Sequence, residues 1–154
     1  MDLAEEKRLI EYLVALAAEG VVQSAHDVSD GGLAVAIAEC CFAGEGAYGH
    51  TPLRAMFAAD VQLQGAELAE LALFGERGAR AVVSVAPAQL ARLNALAAQY
   101  KVAAQTIGRV GSSSAPGGAG DTDFRIQYNG QTVVSAPVES LHDAWANSLE
   151  RALT

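Results

Sequence analysis

The residues of this chain best suited to chemistry fall in one short run, in which His26, Asp27, Ser29 and Asp30 precede Gly31 and Gly32. The run lies between Val21-Val22, which suits a strand, and an apolar helical pattern that begins at Leu33. At a helix mouth, free backbone amides attract anions, and glycines let a phosphate approach them closely. Carboxylates beside such amides can hold Mg²⁺ that bridges to phosphate; without a metal they repel it. A second reading needs no ligand. Ser29 or Asp30 caps the first amides of a helix over residues 33–42, Asp30 sets negative charge at the positive helix end, and the two glycines permit the tight entry. One cap uses one oxygen, yet four polar side chains crowd here, so residue types alone leave both readings open. The spacing of His26, Asp27 and Asp30 fits no transition-metal set, and a neutral His26 buttressing the turn is the expectation.

Other chemistry-bearing groups are scattered. Glu76-Arg77 precedes Arg80 and a strand-like VVSV run, and reads as an anion or ion-pair site or as a plain surface turn. His50, in a Gly-rich loop, and His142, near the last helix, are expected to be solvated. Neither a Ser-His-Asp nor a Cys-His arrangement is suggested, and GEGAYG lacks the strand before and helix after that a dinucleotide loop needs. Adjacent Cys40 and Cys41 have no second pair for a metal site and no spacing for an ordinary disulfide, so they read as small buried hydrophobes of a reducing compartment.

The elements that must position these groups follow from periodicity. Leu9, Leu13 and Leu16 recur at helical spacing over residues 2–19, and Gly20 supplies the stop. A strand over 21–25 precedes the helix carrying Leu33, Ile37 and Cys41. Further strands are expected at 58–63, 80–86 and 101–110, with a short helix at 66–73. Pro87 opens a helix whose buried face is Leu90, Leu93 and Leu96. Residues 111–121, GSSSAPGGAGD, read as a mobile surface loop. Asn129-Gly130 joins strands 123–128 and 131–135 in a type I′ hairpin. A last helix, started at Ser140 or at Ser135–Pro137, puts Leu141, Trp145 and Leu149 on one face. The expected class is α/β of the mixed α+β kind, a mixed sheet covered by helices in one domain over 1–154.

Composition narrows the function. At 51% hydrophobic and 18% charged, the chain can bury a core. Ten Lys+Arg against 18 Asp+Glu give a net charge of −8 with no basic run, which argues against a nucleic acid partner. No apolar run approaches the ~20 residues that cross a bilayer, and the charged start is unlike a signal peptide, so no membrane partner and a cytoplasmic location are expected.

AHDVSDGGLAVAIAE (25–39), LFGERGARAVVSV (73–85), IGRV (107–110) and the closing LHDAWANSLERAL appear in order, and together they resemble the C-terminal domain of the phosphoribosylformylglycinamidine (FGAM) synthase family. That family's synthetase component belongs to the AIR synthase-like superfamily, and the likeness covers most of residues 2–153. It implies the C-terminal α/β domain of the second of two AIR synthase-like halves, packed outside a central barrel. It also implies an ATP- and Mg²⁺-dependent reaction in purine biosynthesis. The formyl-amide oxygen of formylglycinamide ribonucleotide is phosphorylated, and ammonia from a glutaminase domain or subunit displaces phosphate to give the amidine. The implied partners are the remaining synthetase domains, the glutaminase and a small-molecule substrate.

The resemblance carries no catalytic residue and no metal ligand onto this chain. Only the turn transfers residue by residue, so His26, Asp27, Ser29, Asp30, Gly31 and Gly32 become candidates for an interface or an auxiliary nucleotide pocket. Glu76 joins them by position, although the first half of the family has Glu-Ser-Gln where this chain reads Glu76-Arg77-Gly78. Alone, the chain is expected to be inactive and to hold no cofactor tightly. The competing expectation is a non-catalytic ligand-binding or scaffolding module of the same superfamily, whose relatives include selenophosphate synthetase, thiamine monophosphate kinase and a hydrogenase maturation factor.

Overall fold

A computed structural model describes residues 2–42, 57–112 and 123–153. The chain divides into two compact units, residues 1–36 with 73–106 and residues 37–72 with 107–154.

The first unit is built on two helices and a two-stranded ribbon. Helix α1 (Leu3–Ala18) starts where Asp2 Oδ1 accepts the Ala4 N–H at 2.8 Å. It ends in a Schellman motif: the Val21 N–H donates to Leu16 O, the Gly20 N–H donates to Ala17 O, and Gly20 sits at φ +63°. Helix α4 (Leu90–Tyr100) follows a 3₁₀ turn, Pro87–Gln89, at the expected proline start. Leu16 and Tyr12 of α1 and Leu93, Leu96 and Ala97 of α4 are buried in one cluster with Val21, so the helical spacings seen in the sequence face each other. Tyr12 also donates its hydroxyl to Leu93 O, and Glu19 accepts both Nε and Nη2 of Arg92. Strand β1 (Val22–Asp27) pairs antiparallel with β3 (Ala81–Val85), setting His26 opposite Val82 and Asp27 opposite Ala81.

Two expectations change in this unit. β1 extends two residues past Ala25, because the ladder to β3 offers partners as far as Asp27, and His26 and Asp27 are therefore strand-end residues. The strand expected from residue 101 begins only at 108. Lys101 (φ +57°) and Val102 are used in the α4 C-terminal cap, their amides donating to Ala98 O and Ala97 O.

In the second unit a mixed four-stranded sheet has the order β4-β2-β5-β6. β2 (Phe57–Leu63) runs parallel to β5 (Asp123–Tyr128) and antiparallel to β4 (Gly108–Ser112); β6 (Gln131–Pro137) closes the edge antiparallel to β5. Alternation along β2 and β5 buries Ala59, Val61, Phe124, Ile126 and Tyr128. Asn129 (φ +51°) and Gly130 (φ +80°) form the expected type I′ turn. Asn129 also bonds through its side chain to the N–H and O of Gly65. The expected α/β class with a mixed sheet holds, while β1 and β3 form a separate ribbon.

Helix α2 (Gly32–Cys41) buries Ile37 and Cys41 as expected, and α3 (Ala69–Phe74) starts three residues late, its first turn bonded to Leu68 O. Burial lifts the Cys41 thiol to about 11. The last helix is in fact two, α5 (Val138–Ala146) with Pro137 as N-cap, and α6 (Ser148–Leu153). Asn147 interrupts them at ψ +9°, where its side chain donates to Asp143 Oδ1 and Arg151 reaches Asp143 Oδ2. Trp145 and Leu149 consequently stay exposed, contrary to the single apolar face expected. His142 is not freely solvated either, since its ring meets Phe42 edge-on at 5.2 Å, in a cluster with Trp145. Residues 111–112 belong to β4; the rest of the expected surface loop, the GEGAYG segment and His50 lie outside the described residues. No helix among the described residues is long and apolar enough to cross a membrane.

Candidate functional site

The turn after β1 and the segment before β3 form the walls of a cleft of about 660 Å³ in the first unit, and α1 forms its floor. Pairing of β1 with β3 places the two walls: the Val28 N–H donates to Arg80 O, one step beyond the Asp27–Ala81 pair. His26, Asp27, Ser29, Asp30 and Glu76 line the cleft together with Glu6, Leu9, Ile10 and Leu13 of α1. The structure thus brings Glu76 to the HDVSD run, 45 residues away, as an isolated sequence motif could not.

Locally the turn is made by its glycines. The Gly32 N–H donates to Ser29 O at 3.1 Å, and Gly31 and Gly32 both lie in the left-handed region at φ +76° and +73°. A Cβ on Gly32 would stand 2.7 Å from the backbone carbon of Phe74 and 2.8 Å from Leu73 O, so the α2 start and the end of α3 touch backbone to backbone. The Gly31 N–H is taken by Glu76 Oε1 at 3.2 Å, which sets a carboxylate at the α2 mouth.

That contact corrects the capping expectation. Among the described residues, neither the Ser29 nor the Asp30 side chain forms a hydrogen bond, because the acceptor at the α2 mouth comes from the neighbouring wall. His26 behaves as the expected buttress: its Nδ1–H donates to Asp27 O at 2.7 Å, and Nδ1 lies 3.7 Å from Asp27 Oδ1. Asp27 and Asp30 remain exposed.

Two contributors carry no motif. Glu6 Oε1 accepts the Ala79 N–H at 2.6 Å, holding a residue with φ +54°, and Arg80 Nη2 donates to Gly75 O at 2.7 Å. An acidic residue in the first turn of α1 was their one sequence signal, and it reads equally as a helix-dipole partner.

Chemically, the cleft is a poor seat for a naked anion, since Glu76 already occupies the Gly31 N–H and Asp27 and Asp30 present two more carboxylates. Nor do three His, Cys, Asp or Glu side chains converge on a metal position among the described residues.

Residues 1–119 match the family described as AIR synthase related protein, C-terminal domain. The chain is 31% identical over 150 residues to the phosphoribosylformylglycinamidine synthase subunit PurL of Caldanaerobacter subterraneus subsp. tengcongensis, covering 97% of this chain and 18% of that protein. To the PurL subunit of Chlorobium chlorochromatii it is 36% identical over 157 residues, covering 99% and 18%. It thus spans about 18% of the length of these relatives. Thermotoga maritima PurL, solved complexed with FGAR and complexed with ATP, has the same fold, with TM-scores of 0.64 and 0.66 at 24% and 23% identity. Each likeness covers 88% of this chain, and 20% and 21% of the respective solved chains.

Proposed function

This chain belongs to the family of AIR synthase related protein C-terminal domains, and on that premise we propose that it serves as the second-half C-terminal domain, residues 1–154, of a phosphoribosylformylglycinamidine synthase. The observation that carries the reading is the uninterrupted match of 97–99% of the chain to subunits bearing that name. The activity belongs to the full-length ligase: ATP phosphorylates the formyl-amide oxygen of formylglycinamide ribonucleotide, and glutamine-derived ammonia displaces phosphate to leave the amidine. A cytoplasmic setting, a glutaminase partner and inactivity of the isolated chain belong to the same reading.

The part played by this domain is positional. Described residues supply no three-ligand set for Mg²⁺, and the carboxylates of the cleft disfavour a triphosphate, so no step of the reaction is placed here. His26, Asp27, Ser29 and Asp30, held by Gly31, Gly32 and Glu76, shape a polar rim that supports the active assembly.

Purified full-length protein, given formylglycinamide ribonucleotide, ATP, Mg²⁺ and ammonium, is expected to form amidine. A folded full-length protein without turnover would favour the non-catalytic binding or scaffolding role. Asp27→Asn and His26→Ala are expected to lower amidine formation more than they lower the denaturation midpoint. Wild-type activity at matched folded concentration would leave the turn purely structural.

A further inference from the structure

The apolar surface of α1 is wider than its own fold uses. At about 100° per residue, Tyr12, Leu16, Leu9, Leu13, Ile10, Leu3 and Val14 occupy one continuous arc of roughly 200°, about twice the stripe an ordinary surface helix buries. Tyr12 and Leu16 face the core, and Leu9 and Leu13 are half-buried along the cleft floor. Beyond them Ile10 is 58%, Val14 63% and Leu3 75% exposed, on adjoining positions of the helix. The cleft floor therefore continues outward as an uncovered apolar ridge. Its far wall is polar and acidic: Asp30 has no bonded partner among the described residues, and Asp27 is paired with His26 alone.

We propose that this ridge and the acidic wall form one docking surface for a segment of the remaining synthetase chain that has an apolar face and a Lys or Arg at its edge. This rests on the synthetase reading above, and three observations select that occupant. The chain spans 18% of its relatives' length, so most of such a polypeptide lies outside these residues. The ridge is apolar, which suits a permanent contact within one polypeptide. The carboxylates of Asp27 and Asp30 complement a cation and repel the phosphates of a nucleotide.

The test is cysteine labelling of Ile10→Cys and Val14→Cys in the full-length synthetase. Rates are read by mass spectrometry of the α1 peptide and normalised to the same protein in urea. Docking predicts labelling at least about ten-fold slower in the native protein at both positions, as burial of a side chain requires. Asp30→Lys is expected to restore labelling at Val14→Cys by repelling the basic edge, with Asp30→Asn intermediate. Native rates equal to those in urea would overturn the docking surface, as would protection that appears only when ATP is added. Amidine formation is measured on the same samples: turnover with an unprotected α1 rejects this inference alone, whereas protection without turnover rejects the enzymatic reading alone.

Discussion

Gly32→Ala tests how the turn is held, and its cost can be worked from two separable terms. The first is conformational. A Cβ at φ +73° costs about 1–2 kcal/mol relative to right-handed backbone. Lower entropy of the unfolded Ala chain works against the variant by a further 0.4–1 kcal/mol or so at a strained site, having no compatible native conformation to reward. The second is steric. The added Cβ would lie 2.7 Å and 2.8 Å from backbone atoms of Phe74 and Leu73, which cannot rotate away as a side chain tip could, so α2 and α3 must part. Such overpacking typically costs about 1–3 kcal/mol. Gly20→Ala provides the control, since Gly20 has nearly the same φ, +63°, with nothing within 4 Å of its added Cβ. Chemical denaturation of both variants should therefore show Gly32→Ala less stable than Gly20→Ala by about 1–3 kcal/mol, the steric term alone. Equal midpoints at equal m-values would refute the backbone contact between α2 and α3.

Removing the carboxylate at the α2 mouth with Glu76→Ala should cost about 0.5–1 kcal/mol in denaturation, the lower part of the range for a lost cap; Asp30→Ala should stay within about 0.5 kcal/mol of wild type, and the reverse order would restore Asp30 as the cap. The hydrogen bond from Arg125 holds the Asp60 carboxyl below its ordinary 3.8. The unfolded chain therefore binds that proton first, and the contribution is complete above pH 3.8 and is lost as pH falls below it. Arg125→Gln should flatten the acid limb of a midpoint-versus-pH curve, and an unchanged limb would show that the pair contributes nothing. Cys41, buried and titrating at about 11, should resist maleimide at pH 8 in the native protein and react once unfolded; prompt native labelling would contradict its burial.

What the amino-acid sequence by itself determined is whatever depends on near neighbours in the chain. The Leu9-Leu13-Leu16 spacing with Gly20, the Pro87 start before Leu93 and Leu96, and the Asn129-Gly130 hairpin are local signals, and each became the element it announced. Even the glycines of the turn were legible, because positive φ is a demand on a single residue. Tertiary structure decided which distant groups meet. Glu76 took the Gly31 amide from Ser29 and Asp30, Glu6 took the Ala79 amide, and β1 and β3 formed a ribbon apart from the four-stranded sheet. It also left half the apolar arc of α1 uncovered and let Asn147 divide the last helix. Periodicity shows that a face is apolar and a turn is polar, but the choice of partner is made by a contact closed across tens of residues, whose geometry no local pattern contains.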